Sequence, residues 1–281
     1  MIKLLLKITF IVLLFSVKIM TAQEFTGRAV YESKTIMDAG SIKINGKDGD
    51  DAMVRKLQEQ LDKMNEKTFV MDFNKTESIY AEEQKLDAPS TDSGFSVVTS
   101  SGVPGKLYKN VKDKSLLSEE DFFDKEFLVS DVLPDWDWKL QPETKKIGDY
   151  TCQKATAVIA VTAQDKADYE EMKKQQENGK TQFFVMDEPK DRTVTVWYTP
   201  EIPVSHGPDK YWGLPGLILE VNADKTHILC SKIIVNPKDK VVIKLPKKGK
   251  KVTRKEYEVL MEKQMNQMKD ADGNITIEIQ R

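Results

Sequence analysis

Histidine and cysteine are scarce in this chain, with two of each in 281 residues. His206 and His227 form neither an H-x-x-x-H nor an H-E-x-x-H pattern, so a zinc peptidase has no footing here. A loop histidine such as His206 reads as polar surface, and metal capture with Asp209 or Glu201 is the weaker reading. Ser205 lies beside His206, but neighbours in an extended segment point to opposite sides, and no G-x-S-x-G elbow supplies a nucleophile. Walker, dinucleotide and EF-hand spacings are missing too, which leaves Asp131, Asp135 and Asp137 without a calcium reading. No catalytic residue, resident metal or cofactor is therefore expected.

A basic surplus is also lacking: the formal charge of −2 argues against a nucleic-acid partner. Long apolar runs are confined to the N-terminus. There Lys3 and Lys7 precede a run from Ile8 to Val17, Lys18 breaks it, and Ala22 precedes Gln23. This reads as a cleavable secretory signal over residues 1–22, too short to span a bilayer. Its removal takes three lysines and no acid, which moves the charge from −2 to −5. With no cysteine near Ala22 to carry a lipid, the expected product is exported and soluble, with residues 23–281 forming one domain.

An even count of cysteines in an exported chain suggests a single disulfide between Cys152 and Cys230, worth about 4 kcal/mol for so long a loop. The competing reading is two separate buried thiols, since both lie in strand-like apolar segments.

What is present is mostly alternation. Strands are expected at Phe25–Thr35, Thr68–Phe73, Ile79–Tyr80, Leu107–Val111, Phe122–Phe123 and Phe127–Val129. Trp136–Leu140 reads as a half-buried strand with Trp136, Trp138 and Leu140 on one face and Asp135 and Asp137 solvated on the other. Further strands are expected at Ala155–Val161, Thr193–Thr199, Leu217–Val221, His227–Val235 and Lys240–Leu245, with an edge strand at Asn274–Gln280. Helical spacing appears near 50–66 (Met53, Leu57, Leu61, Met64), near 164–178 as a charged, solvated excursion, and near 253–268 behind a Thr253–Glu256 capping box. Asp87–Gly105 has the composition of a surface loop. The fold class is therefore mainly β (α+β): an antiparallel curved sheet or half-barrel with covering helices, one of them over the concave side.

The chain is organised around Gly213-Leu214-Pro215-Gly216-Leu217-Ile218. The glycines permit positive φ or close backbone approach, and Pro215 fixes φ and donates no ladder bond, so a turn launches a buried strand. Leu217, Leu219 and Val221 then share one face while Ile218 and Glu220 take the other. This hexapeptide resembles the signature of the GLPGLI family of secreted Bacteroidetes-type envelope proteins. Gly148–Ala155, with its Tyr150, Cys152 and Lys154-Ala155, and the Trp197-Tyr198-Thr199 segment are similar to that family as well. The likeness runs roughly over residues 25–245 and is most specific from Gly148 to Val221.

The resemblance implies a non-catalytic periplasmic factor, a companion of TonB-dependent transport or another envelope system, placed in the periplasm or at the inner face of the outer membrane. Its expected partner is an outer-membrane protein or a lipid-like ligand held on a concave sheet face, as in periplasmic lipoprotein carriers, which the expected shape is similar to. The alternative is a periplasmic hydrolase whose site only the fold assembles.

Overall fold

Alternating apolar residues need a sheet with one face covered, and twelve segments of this chain find places in a single one. A computed structural model describes residues 25–36, 65–83, 105–122, 125–177, 188–239 and 241–268. The signal segment, all but the last two residues of the helix expected near 50–66, most of the 87–105 loop and the strand expected at 274–280 lie outside these residues; Glu66 opens β2 instead.

The strands are β1 (Thr26–Thr35), β2 (Glu66–Asn74), β3 (Glu77–Glu82), β4 (Lys106–Asn110), β5 (Ser115–Phe122) and β6 (Lys125–Val132). After them come β7 (Lys139–Ile147), β8 (Tyr150–Ile159), helix α1 (Ala163–Glu177) and β9 (Arg192–Thr199). The chain continues through β10 (Leu217–Ala223), β11 (Thr226–Val235), β12 (Lys250–Thr253) and helix α2 (Arg254–Met268). They form one open, curved sheet in the order β12-β6-β5-β4-β3-β2-β1-β11-β10-β9-β8-β7. Every pairing is antiparallel except β12 with β6.

Local chemistry sets the hairpins. Asn74 accepts the N–H groups of Thr76 and Glu77 at 2.8 and 2.7 Å, making the turn between β2 and β3. Asn110 does the same for Lys112 and Asp113 between β4 and β5. Positive φ at Gly148 reverses the chain between β7 and β8, and at Asp224 between β10 and β11. The capping box forms as expected: Thr253 N–H donates to Glu256 at 2.8 Å, and Glu256 N–H to Thr253 at 3.3 Å.

Several expectations need correction. The Trp136–Leu140 strand does not form: Trp138 N–H bonds the carbonyl of Trp136 at 3.0 Å, a tight turn that removes this stretch from the ladder, and β7 begins only at Lys139. Of the strand expected at Lys240–Leu245, residues 241–245 are described and are not in a strand. β11 already has β1 and β10 on its two sides, so no edge is open there, and Val242 and Leu245 are exposed. Conversely, β5 extends back from Phe122 to Ser115, its acidic residues having masked an alternation in which Leu116 and Ser118 are buried.

Of the expected helices, the one near 50–66 lies almost wholly outside the described residues and the other two form. Helix α1 is solvent-exposed along its described side chains apart from partly shielded Tyr169, as its charge implies. Helix α2 packs at the sheet edge, where Tyr257 meets Phe127 edge to face at 5.3 Å beside Val129 and Val252. The main core instead joins β1–β5 and β8–β11 to Ile202, Val204, Tyr211, Trp212 and Leu214, which belong to the irregular stretch between β9 and β10. Among the described residues, this loop packs against the sheet's inner face.

Candidate functional site

That loop, residues 200–216, is built from its own backbone. Val204 N–H reaches the carbonyl of Ile202 at 2.8 Å, Ser205 Oγ donates to the carbonyl of Leu214 at 2.9 Å, and His206 bridges to Trp212. Leu217 N–H then bonds Ile202 O, and Ile218 N–H bonds His206 O, each at 3.0 Å, which fixes where β10 begins. The structure divides the two roles that the glycines allow. Gly213 takes positive φ (99°), whereas a Cβ on Gly216 would stand 2.2 Å from the carbonyl oxygen of Thr199. Leu214, Leu217 and Ile218 are buried, and Pro215 is exposed at the tip of the turn. On the β10 carbonyl of Ile218, Tyr31 closes a buried hydrogen bond from β1 at 2.8 Å.

Three tryptophans clamp the corner. Trp136 Nε1 donates to the carbonyl of Lys210 at 3.2 Å, and Trp138 Nε1 to that of Trp212 at 2.8 Å. Trp212 Nε1 returns the bond to Pro134 O at 2.8 Å. Trp136 stacks on Trp138 (5.1 Å) and meets Tyr211 at a tilt (5.0 Å), and a Cβ on Gly213 would stand 3.6 Å from Trp138. Indole N–H is a donor only, so each bond satisfies a loop carbonyl that has no ladder partner.

Lys109 is the second anchor and is wholly buried. Its Nζ donates to the carbonyls of Gly207, Asp209 and Tyr211 at 2.5, 2.5 and 3.3 Å. Burial pushes its pKa down to about 7, with the Asp209 carboxylate opposing. His206 beside it is also wholly buried, which corrects the reading of it as polar surface; burial and then the nearby Lys109 push it down to about 3. Neither proposed metal partner joins it. Glu201 accepts Thr151 N–H at 2.8 Å, and Asp209 faces Lys109 with its main chain. Among the described residues no group of three or more His, Cys, Asp or Glu could hold a metal.

A second polar cluster gathers on Glu220, side chain 10% exposed, from its own strand, from β11 and from the distant β7. Lys145 Nζ lies 2.5 Å from Oε2 and 4.5 Å over the Trp197 ring; Asn222 donates to Oε1 at 2.8 Å, and His227 Nε2 is 3.6 Å away. Burial works against the charged carboxylate, but Lys145 and Asn222 outweigh it and hold Glu220 below the usual range. The carboxylate is thus already satisfied.

The expected disulfide is not formed. Cys152 and Cys230 are free, buried thiols on β8 and β11, with β9 and β10 between them. Two intervening strands put about 14 Å of sheet between their backbones, well beyond the reach of a disulfide.

The clamp and Lys109 escaped the sequence reading. Lys109 shares parity with Leu107 and Val111, an inward position that a lysine on a surface strand would avoid, and that parity was the available signal.

Residues 138–220, from Trp138 of the clamp to Glu220, match the family described as "Protein of unknown function (Porph_ging)". No curated protein matches the chain. Two crystal forms of PNGF-II are similar in structure. The form in space group C2 has 15% identity and a TM-score of 0.47 over 86% of this chain and 33% of the other. The P21 form has 15% identity and a TM-score of 0.46 over 85% and 34%. The chain thus spans about a third of the length of these structures. No helix among the described residues is long and apolar enough to cross a membrane.

Proposed function

We propose that the chain is a GLPGLI-type protein, exported to the periplasm, that acts as a non-catalytic envelope factor for an outer-membrane, TonB-dependent transport partner. The observation that carries this reading is the occupied inner face: Ile202, Val204, Tyr211, Trp212 and Leu214 fill the sheet surface that a carrier would keep for its ligand. This favours a protein partner over a lipid-like one. The signature hexapeptide supports the same reading, because its buried side chains and close glycine contacts are spent on seating the loop. Among the described residues, β7 leaves one edge of the sheet unpaired over nine residues. Pro142 and three lysines there, Lys139, Lys145 and Lys146, discourage pairing between copies while leaving backbone groups for a dedicated partner.

The test is cross-linking of the tagged protein in intact cells of its native host, followed by protein and lipid mass spectrometry. A stoichiometric outer-membrane protein is the expected result. Lipid recovered without protein would favour the carrier, and recovery of neither would return attention to the hydrolase alternative and the Glu220 cluster.

A further inference from the structure

Among the described residues, four side-chain atoms beneath the loop are buried without a hydrogen-bond partner: Ser78 Oγ, Tyr80 Oη, and both ring nitrogens of His206. Ser78 and His206 are wholly buried and Tyr80 is 6% exposed. They belong to one place. Ser78 and Tyr80 are two apart on β3 and so face the same side, and Ser78 is paired with Phe73 on one strand and Lys109 on the other. The His206 ring lies 6.4 Å from the Phe73 ring, and the Asp209 carboxylate near Lys109 also acts on Tyr80. The main chain of Asn74 approaches the His206 ring but makes no hydrogen bond of normal geometry.

We propose that Ser78, Tyr80 and His206 form an internal hydration site, with ordered water joining the inner face of β3 to the loop that carries the signature. A neutral imidazole has one donor and one acceptor nitrogen, and each hydroxyl can both give and accept. Left dry, all four atoms would bear the full desolvation cost of unpaired burial, whereas a water takes two to four such partners at once. An anion does not suit the site, because Lys109 has already committed its three donors to loop carbonyls. Water is the small molecule that matches this set of donors and acceptors. It also explains how a histidine is tolerated at the foot of an apolar core: the loop is seated on a hydrated joint rather than on dry packing.

The deciding experiment is a crystal structure of the full chain at a resolution that shows ordered water. Density within hydrogen-bonding distance of a His206 nitrogen and of Ser78 Oγ or Tyr80 Oη is expected. A dry site, or these groups re-paired with protein atoms, would overturn the proposal. If crystals are not obtained, thermal unfolding of Tyr80→Phe decides. A hydroxyl that holds water lowers the midpoint when it is removed, whereas an unpartnered one leaves it unchanged or raises it, which is the overturning result.

Discussion

Trp138 and Trp212 are bound in one direction and answered in the other: Trp138 donates its indole N–H to Trp212 O at 2.8 Å, and Trp212 donates its own to Pro134 O, four residues before Trp138. Trp138→Phe keeps the ring and removes the donor, so the carbonyl of Trp212 loses its partner. Urea unfolding should show a loss of about 1–3 kcal/mol. Trp136→Phe, which breaks a longer and more exposed bond, should cost less. Equal costs would contradict the clamp as described.

The two signature glycines should separate by mechanism. Gly216→Ala drives a Cβ into the Thr199 carbonyl, a backbone atom that cannot swing aside, and should cost about 3 kcal/mol or more. Gly213→Ala meets Trp138 at 3.6 Å, an ordinary van der Waals contact, and suffers only the strain of positive φ, about 1–2 kcal/mol. Thermal midpoints of the two variants, measured side by side, give the order.

Thiol titration distinguishes the free cysteines from a disulfide. Burial pushes Cys152 up to about 11 and Cys230 up to about 12, so neither should react with Ellman's reagent in the native protein. In denaturant without reductant, two thiols per chain should appear. None would mean that the disulfide forms.

His206 should impose an acid limit on stability. Its folded pKa of about 3 lies below the ordinary 6.5, so on acidification the unfolded chain takes up the proton first. The contribution is complete above about pH 6.5 and is lost as the pH falls towards 3. Stability curves of His206→Phe should be flatter across that window than those of the parent chain.

Lys109 works on the alkaline side. Its folded pKa of about 7 lies below the ordinary 10.5, so between these values the unfolded chain binds the extra proton and stability rises with pH. Lys109→Met should abolish that rise while leaving three loop carbonyls without a donor. Denaturation at pH 7 and pH 10 checks both effects.

How far the sequence could be read depends on where each signal was local. Alternation placed β1, β9, β10 and β11 because their inward residues are apolar at every second position. It failed at β7, an edge strand made mostly of Lys, Glu, Gln and Thr whose Leu140 and Ile147 are too far apart to show an alternation, and at Val241–Leu245, where the alternation is present but no neighbouring edge is free. Thr253 and Glu256 announced α2 because a cap is made within one turn. The Lys109 anchor joins residues about a hundred positions apart and the Trp clamp segments more than seventy apart, and no periodicity carries such information. The glycine spacing alone admits positive φ or close approach at both positions, and the fold assigns the first to Gly213 and the second to Gly216.

β1 lies deep within the sheet, between β2 and β11, with Gly27 opposite Phe73 on one side and Val235 on the other. The first strand made therefore waits for almost the last before its second edge is covered. Until residue 235 is available, that edge is a long row of unanswered backbone groups able to pair with another chain, which makes assembly slow and leaves its incomplete forms prone to aggregate. A truncation that stops short of β11 is thus not a smaller version of the protein but a sheet with an open seam through its middle.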